Sequence, residues 1–193
     1  NGTDGMLGML ALALADLDEL FALSDLATAM SVEALLGTDR AFAADLLALR
    51  PHPGQATSAA NLRRLLEGSE IMASHREDTE HLVQDAYSLR CAPQVIGAAR
   101  DTAEHARVVA ERELQAVIDN PVVLPDGRVQ SNGNFHGAPV GYVLDFLAIA
   151  CADVASISER RTDRMLDKTR SQGLPPFLGH EPGVDSGYMI AQY

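Results

Sequence analysis

Tyr87 and Arg90 are the two residues whose types and spacing best suit acid–base chemistry in this sequence. Residues three apart on a helix or tight turn face the same side. A guanidinium can bind a carboxylate through two parallel hydrogen bonds. A fixed positive charge also lowers the pKa of a neighbouring phenol, which makes tyrosine a usable base. The structural alternative pairs Arg90 with Asp85 and places Tyr87 as a cap on the core. Spacing alone leaves both open and favours the structural alternative.

A second candidate is the glycine- and asparagine-rich loop 131–137, which contains Phe135 and His136. Glycine allows unusual backbone angles, so such a loop can bring backbone and an aromatic ring close to a ligand. The simpler interpretation is a connection between a strand and a helix, with His136 hydrogen-bonded inside the loop. The opening Asn1-Gly2-Thr3 is uninformative alone, apart from its place before an apolar segment.

Several common chemistries lack their motifs. The six histidines are scattered, with no HExxH and no histidine pair at helical spacing, so the sequence predicts no metal site. There is no GxSxG nucleophile elbow of the kind that hydrolases use. There is also no GxGxxG or P-loop, so nucleotide binding has no support.

Composition narrows the class of protein further. The 193 residues are 47% hydrophobic and 22% charged, which is typical of a globular chain, and the net charge of −12 argues against nucleic acid or an anionic membrane as partner. Two cysteines and the lack of a signal-peptide pattern indicate a cytoplasmic protein. The most apolar stretches, 5–14 and 140–154, contain or abut aspartates, so neither is expected to span a bilayer.

Hydrophobic periodicity and capping signals predict an all-α fold of long antiparallel helices, with one small β-hairpin on the Pro125-Asp126-Gly127 turn. Ser24-Asp25 is predicted to cap a second helix that Gly37 ends, and the polar stretch 71–80 is predicted to be an exposed loop. The long helices are predicted over residues 5–23, 93–118 and 139–166.

Taken together, a set of short segments resembles the aromatic amino acid lyases, and their amino-acid sequence is most similar to the histidine ammonia-lyase branch. The segments occur in the family's order across the whole chain, which makes the set specific although each is weak alone. They are Asn1-Gly2-Thr3, Arg50-Pro51-His52-Pro53-Gly54-Gln55, Val83 to Arg90, Asp119-Asn120-Pro121, Gly133 to Gly137, Asp163-Arg164, Ser171 to Leu178 and Ser186 to Gln192.

The resemblance implies elimination of ammonia from L-histidine to give trans-urocanate. The electrophile in this family is 4-methylidene-imidazole-5-one (MIO), which the protein builds from an internal Ala-Ser-Gly. The resemblance also implies site roles, position by position. Tyr87 resembles the general base, Arg90 the arginine that grips the substrate carboxylate, and Gln84 a glutamine lining the site. Asn1 resembles the asparagine beside the electrophile, and Phe135 the neighbouring aromatic residue.

No Ala-Ser-Gly occurs in this chain, and Asp185-Ser186-Gly187 has the wrong first residue in the wrong segment. A pocket glutamate of the family would lie beyond Tyr193. We therefore expect residues 1–193 to be one fragment of the helical core of a larger lyase, without the upstream electrophile-forming segment and the C-terminal part, and inactive alone. The resemblance implies a homotetramer with active sites shared among subunits, and 93–118 and 139–166 as core helices.

Two other interpretations stay open at this point. The first is a tyrosine or phenylalanine ammonia-lyase or an aminomutase, because the site chemistry is shared and the substrate selector lies upstream of this chain. The second is an inert helical assembly module rather than an enzyme.

Overall fold

The chain folds as the predicted all-α assembly with one small β-hairpin, seen in a computed structural model that describes residues 2–77 and 84–193. Three long helices dominate. Short 3-10 turns lie at Arg40–Phe42, Pro176–Leu178 and Met189–Ala191. The helices and strands are α1 (Thr3–Ala34), α2 (Ala44–Ala48), α3 (Pro53–Leu66), α4 (Glu70–Ser74), α5 (Tyr87–Arg90), α6 (Ala92–Glu113), β1 (Val122–Val123), β2 (Val129–Gln130) and α7 (Ala138–Leu166).

Helices α1, α6 and α7 pack around a shared apolar core that contains Leu10, Ile96 and Val140, all fully buried. Ion pairs of Asp18 with Arg107 and of Asp25 with Arg100 show that α1 and α6 are antiparallel. The start of α1 lies against the start of α7, so these two helices run in the same direction and α6 runs against both. A second cluster, formed by the end of α1 with α3, α4 and α5, closes the other end of the molecule.

The predicted break at Ser24-Asp25 is wrong, because α1 is one continuous helix of 32 residues. The hydroxyl of Ser24 donates to the carbonyl of Leu20 at 2.8 Å, four residues back, and Thr28 donates to Ser24 in the same way at 2.7 Å. Such bonds satisfy hydroxyls within a helix instead of capping a new one. Asp25 points into the interior, where it pairs with Arg100.

Other predicted boundaries are partly right. The hairpin is confirmed, with β1 and β2 antiparallel and Gly127 in the left-handed region at φ 84°. Helix α6 stops at Glu113 instead of 118, because the bond from Gln115 N–H to the Arg112 carbonyl tightens its last turn. The predicted loop 71–80 begins inside α4, and residues 78–80 lie outside the described part.

Helices α3 and α6 cross in backbone contact at Gly54 and Gly97. A Cβ built on Gly97 would lie 2.3 Å from the amide nitrogen of Gln55, and one on Gly54 would lie 2.1 Å from the Gly97 carbonyl oxygen. Neither backbone can move without separating the helices. Glycine is therefore required at both positions by close approach.

Replacing Gly97 by Ala should lower the free energy of unfolding by about 3 kcal/mol, because the added methyl overlaps fixed backbone. The matched control is Gly141→Ala on α7, where the nearest atom to a new Cβ is the Met6 methyl at 3.8 Å. That change should be neutral or stabilise by about 0.5 kcal/mol, since it only restricts the unfolded chain. Urea denaturation midpoints would compare the two, and equal midpoints would contradict the close-packed crossing.

Helix α7 leaves much of its apolar surface uncovered. Tyr142, Phe146 and Ile149 on α7 are exposed, as are Met9 and Leu12 on α1. By length and composition alone, α7 is the one helix in the described ranges that could cross a membrane, and 28% of its most apolar window is buried. Core helices of proteins that never meet a bilayer pass the same test.

Candidate active site

The Tyr87–Arg90 turn is a single helical turn that lies directly before α6 and packs against α7. Its backbone is closed by hydrogen bonds from the amides of Leu89 and Arg90 to the Ala86 carbonyl, at 3.0 and 3.1 Å. Pro93 lies at the start of α6 and has no amide hydrogen to continue a helix through the junction. Leu89 is buried in the core, and this anchors the turn from below.

Tyr87 and Arg90 meet on the outer face of this turn. The guanidinium carbon of Arg90 lies 4.6 Å from the centroid of the Tyr87 ring, a distance at which cation and ring attract. Tyr87 is 71% exposed, while Arg90 is half-buried. The turn therefore presents a phenol and a guanidinium together to the outside of the chain.

The structural alternative for this pair does not hold. Asp85 accepts a hydrogen bond from the amide of Thr38 at 2.7 Å, and none of the ion pairs among residues 2–77 and 84–193 joins it to Arg90. Tyr87 is too exposed to cap the core.

Two buried polar atoms next to the turn lack partners within the described residues. They are Nε of Arg90 and Oε1 of Gln94, four residues further along the chain. Buried polar groups in folded proteins are nearly always hydrogen-bonded, so an unpaired donor beside an exposed phenol makes this turn a candidate ligand site. Gln94 carries no motif signal, and the sequence analysis missed it.

The loop that precedes α7 forms a second group of candidate residues. Asn120 accepts hydrogen bonds from the hydroxyl of Ser131 and the amide of Asn132, at 3.0 and 2.8 Å. The hydroxyl of Thr3 donates to the carbonyl of Phe135 at 3.0 Å, which places the start of α1 beside this aromatic residue. His136 accepts a bond from the amide of Ala138, in agreement with its predicted role inside the loop.

Within one chain, the two groups lie far apart. Tyr87 and Arg90 pack near Arg161 on α7, whereas Phe135 precedes the first residue of that helix. At 1.5 Å per residue, the intervening helix separates them by roughly 35 Å. Gln84 is exposed, three residues before Tyr87, and the predicted role of Asn1 lies outside the described residues.

The electrostatics of the Tyr87–Arg90 turn include a buried cation beneath it. Arg161 donates to the carbonyl of Ser88 at 3.3 Å, and burial lowers the pKa of its guanidinium to about 10.

Among the described residues, no group of three or more histidine, cysteine or acidic side chains is placed to hold a metal ion.

Comparison with known proteins gives the class of protein to which this helical core and its Tyr87–Arg90 turn belong. A profile of the family described as aromatic amino acid lyase matches residues 1–193. The chain therefore belongs to the aromatic amino acid lyase family.

Within that family, the chain is 69% identical to histidine ammonia-lyase of Streptomyces avermitilis over 193 residues, and 52% identical to that of Anaeromyxobacter sp. (strain K). Both alignments cover all of this chain and 38% of the relative, so the chain spans well under half the length of these relatives.

Solved structures agree with the fold. Tyrosine aminomutase from Streptomyces globisporus superposes with a TM-score of 0.89 at 35% identity, over 98% of this chain and 39% of that one. Histidine ammonia-lyase from Trypanosoma cruzi superposes with a TM-score of 0.82 at 40% identity, over 97% and 34%.

Proposed function

We propose that this chain is the central segment of a cytoplasmic enzyme that eliminates ammonia from L-histidine to give trans-urocanate. The observation that carries the proposal is the exposed Tyr87 phenol held 4.6 Å from the Arg90 guanidinium. The choice of histidine rests on the relatives, because the chain is 69% identical to a histidine ammonia-lyase but 35% identical to a tyrosine aminomutase.

In this proposal Arg90 binds the substrate carboxylate. Among the described residues, its buried Nε has no hydrogen-bond partner, and a carboxylate oxygen would supply one. Two parallel hydrogen bonds from the guanidinium would also fix the orientation of the amino acid. The bound carboxylate brings the β-carbon towards Tyr87, whose side-chain oxygen accepts the β-proton. The exposed position of Tyr87 leaves room for the substrate on the outer face of the turn.

In the family, the MIO group is the electrophile, and in the complete enzyme it would supply a carbon to which the substrate amine adds, so that the amine becomes a better leaving group. This chain has no Ala-Ser-Gly from which to build it. The donor set beside Tyr87 fits the carboxylate end of the substrate and not the electrophile, so the group must come from residues outside this chain. We therefore expect the isolated segment to release no ammonia, and measurable release from the pure segment would contradict this.

We further propose that the complete protein is a homo-oligomer, a tetramer by resemblance, in which other copies cover the exposed face of α7. Two features support it. Phe135 and Tyr87 lie near opposite ends of a stretch of α7 that is roughly 35 Å long, so a site that uses both must combine different copies. Exposed apolar side chains such as Phe146 and Ile149 on α7 also need a cover, which protein neighbours rather than lipid would supply.

The assay that tests the proposed function uses the full-length parent polypeptide with L-histidine. Formation of urocanate is followed by its ultraviolet absorbance. Absence of turnover in a parent whose electrophile has formed would rule out histidine as the substrate.

The second candidate is an aminomutase or lyase acting on tyrosine, which the TM-score of 0.89 with a tyrosine aminomutase keeps open. Product analysis with tyrosine separates these, since a mutase yields a β-amino acid and a lyase yields coumarate. Either product, in place of urocanate from histidine, would favour the second candidate.

In the parent enzyme, Arg90→Lys should raise the KM for histidine by about tenfold, because an ammonium point charge replaces a two-pronged donor. The stacked contact with the Tyr87 ring would also weaken. Steady-state kinetics over a range of histidine concentrations measure the effect. A matched control is Arg112→Lys, near the exposed end of α6, which should leave the KM unchanged. An unchanged KM in Arg90→Lys would leave the carboxylate role unsupported.

A further inference from the structure

Arg161 is a buried cation that has no acidic partner among residues 2–77 and 84–193. Arg161 is 2% exposed, and it lies on α7 directly beneath the Tyr87–Arg90 turn. None of the ion pairs within 4.0 Å in the described ranges includes it. The Nη1 of Arg161 donates a hydrogen bond to the backbone carbonyl of Ser88, at 3.3 Å.

Such an arrangement is costly for stability. An arginine moved into the interior without a carboxylate loses its hydration with no opposite charge to compensate, and an apolar residue of similar volume would often stabilise the fold more. Burial lowers the pKa of Arg161 to about 10, which still leaves the side chain charged at neutral pH. A charge retained there at such cost points to a role other than packing.

The contact with Ser88 is well placed for that role. Ser88 follows Tyr87 directly in the turn, so a hold on its carbonyl, in the peptide between Ser88 and Leu89, restrains the backbone next to Tyr87. The turn is only four residues long and has little rigidity of its own. Helix α7, by contrast, is 29 residues long and packs along α1 and α6, so Arg161 projects from a rigid support.

We propose that Arg161 is a positioning residue: by holding the Ser88 carbonyl, it fixes the turn on which Tyr87 and Arg90 face the amino acid substrate. The proposal rests on the proposed function, since it assigns those two residues to catalysis and carboxylate binding. Arg161 itself is buried beneath the turn and acts through the backbone, without touching the substrate.

The test compares Arg161→Met with Arg161→Lys in the full-length enzyme. Met removes the donor while keeping an unbranched apolar chain, and Lys restores one donor. Arg161→Met should lower kcat/KM for histidine about a hundredfold, because misplacement by about 1 Å has that effect. The KM should rise together with the fall in kcat, since Arg90 moves as well as Tyr87. Arg161→Lys should recover about tenfold of the loss.

The matched control is Arg160→Met, one residue earlier on α7. The Arg160 side chain is 56% exposed and pairs with Glu159 and Asp163 at the surface, so its loss should leave kcat and KM within about twofold. A merely structural role of Arg161 would lower the amount of folded enzyme and hence the apparent kcat, but would leave the KM unchanged. That result would overturn the proposal.

Amide hydrogen exchange provides a readout that does not depend on turnover. The amides of Leu89, Arg90 and Cys91 all donate within the turn, and in Arg161→Met they should exchange at least about tenfold faster while the middle of α6 is unaffected. If Arg161→Met does not fold, the same measurement is made on Arg161→Lys, whose single donor recovers only part of the contact, so its turn amides should still exchange severalfold faster than in the wild type. Unchanged exchange in a folded variant would refute the positioning role. An inactive wild type with faster exchange in the variant would refute only histidine as substrate.

Discussion

Tyr87→Phe in the full-length enzyme should reduce urocanate formation by at least about a thousandfold while the protein melts at the wild-type temperature. A positioned general base contributes about 10²–10⁴ in rate, and phenylalanine has no atom that can accept the β-proton. Tyr87 is 71% exposed, and the described residues provide no hydrogen-bond partner for its hydroxyl, so the fold loses nothing with it. Steady-state kinetics and thermal melting would measure the two effects separately.

Tyr142→Phe is the matched control for this experiment. Tyr142 is 75% exposed on α7, and the substitution removes the same hydroxyl from a similar environment at a distance from the Tyr87–Arg90 turn. Its kcat and KM should stay within about twofold of wild type. A Tyr87→Phe enzyme with more than a tenth of wild-type kcat would exclude Tyr87 as the base.

The contact between Tyr87 and Arg90 was within reach of sequence reasoning because it is local. Residues three apart share a face in any helical turn, and the 4.6 Å contact follows from that geometry once Pro93 confines the turn. Choosing between the catalytic and the structural role was not possible from spacing, since it depends on the exposure of Tyr87 and on where Asp85 points. The family resemblance favours catalysis, and the structure argues against the alternative because Tyr87 is exposed and Asp85 bonds to Thr38.

The break predicted at Ser24-Asp25 shows why local signals fail inside a long helix. Serine followed by aspartate is a good N-cap, but the same hydroxyl can instead bond to the carbonyl four residues back. Which occurs depends on tertiary contacts. Asp25 is drawn inward by Arg100, 75 residues away in the sequence, and no window of neighbouring residues contains that information.

The proposed role of Arg161 and the separation of the two groups of site residues could not be predicted from the sequence, for a related reason. Both depend on the direction in which α7 runs past the Tyr87–Arg90 turn, a property of the packed fold. The sequence shows Arg161 only as one of several charges near the end of an apolar helix, where solvent exposure is the natural expectation. Its burial follows from the packing of α5 against that end of α7.

Asp25→Ala should lower the free energy of unfolding by about 3–5 kcal/mol, the usual cost of leaving one member of a buried ion pair alone. Asp25 is 1% exposed and accepts a hydrogen bond from Arg100 at 2.7 Å and another from the Asn61 amide at 2.8 Å. Arg100 also donates to Ser58 at 3.1 Å, so this cluster joins α1, α3 and α6. Removing the carboxylate leaves the Arg100 guanidinium largely buried, with a hydroxyl and the Phe21 ring as its remaining partners.

Asp18→Ala provides the control on the same two helices. Asp18 pairs with Arg107 at 2.9 Å, but the Asp18 side chain is 62% exposed, so water replaces the lost partner and the expected loss is below about 1 kcal/mol. Urea unfolding followed by circular dichroism would compare the variants. Because the cost in Asp25→Ala arises from the stranded cation, adding Arg100→Met to it should restore part of the lost stability. A double variant less stable than Asp25→Ala would mean that Arg100 stabilises the fold through Ser58 and Phe21, independently of the ion pair.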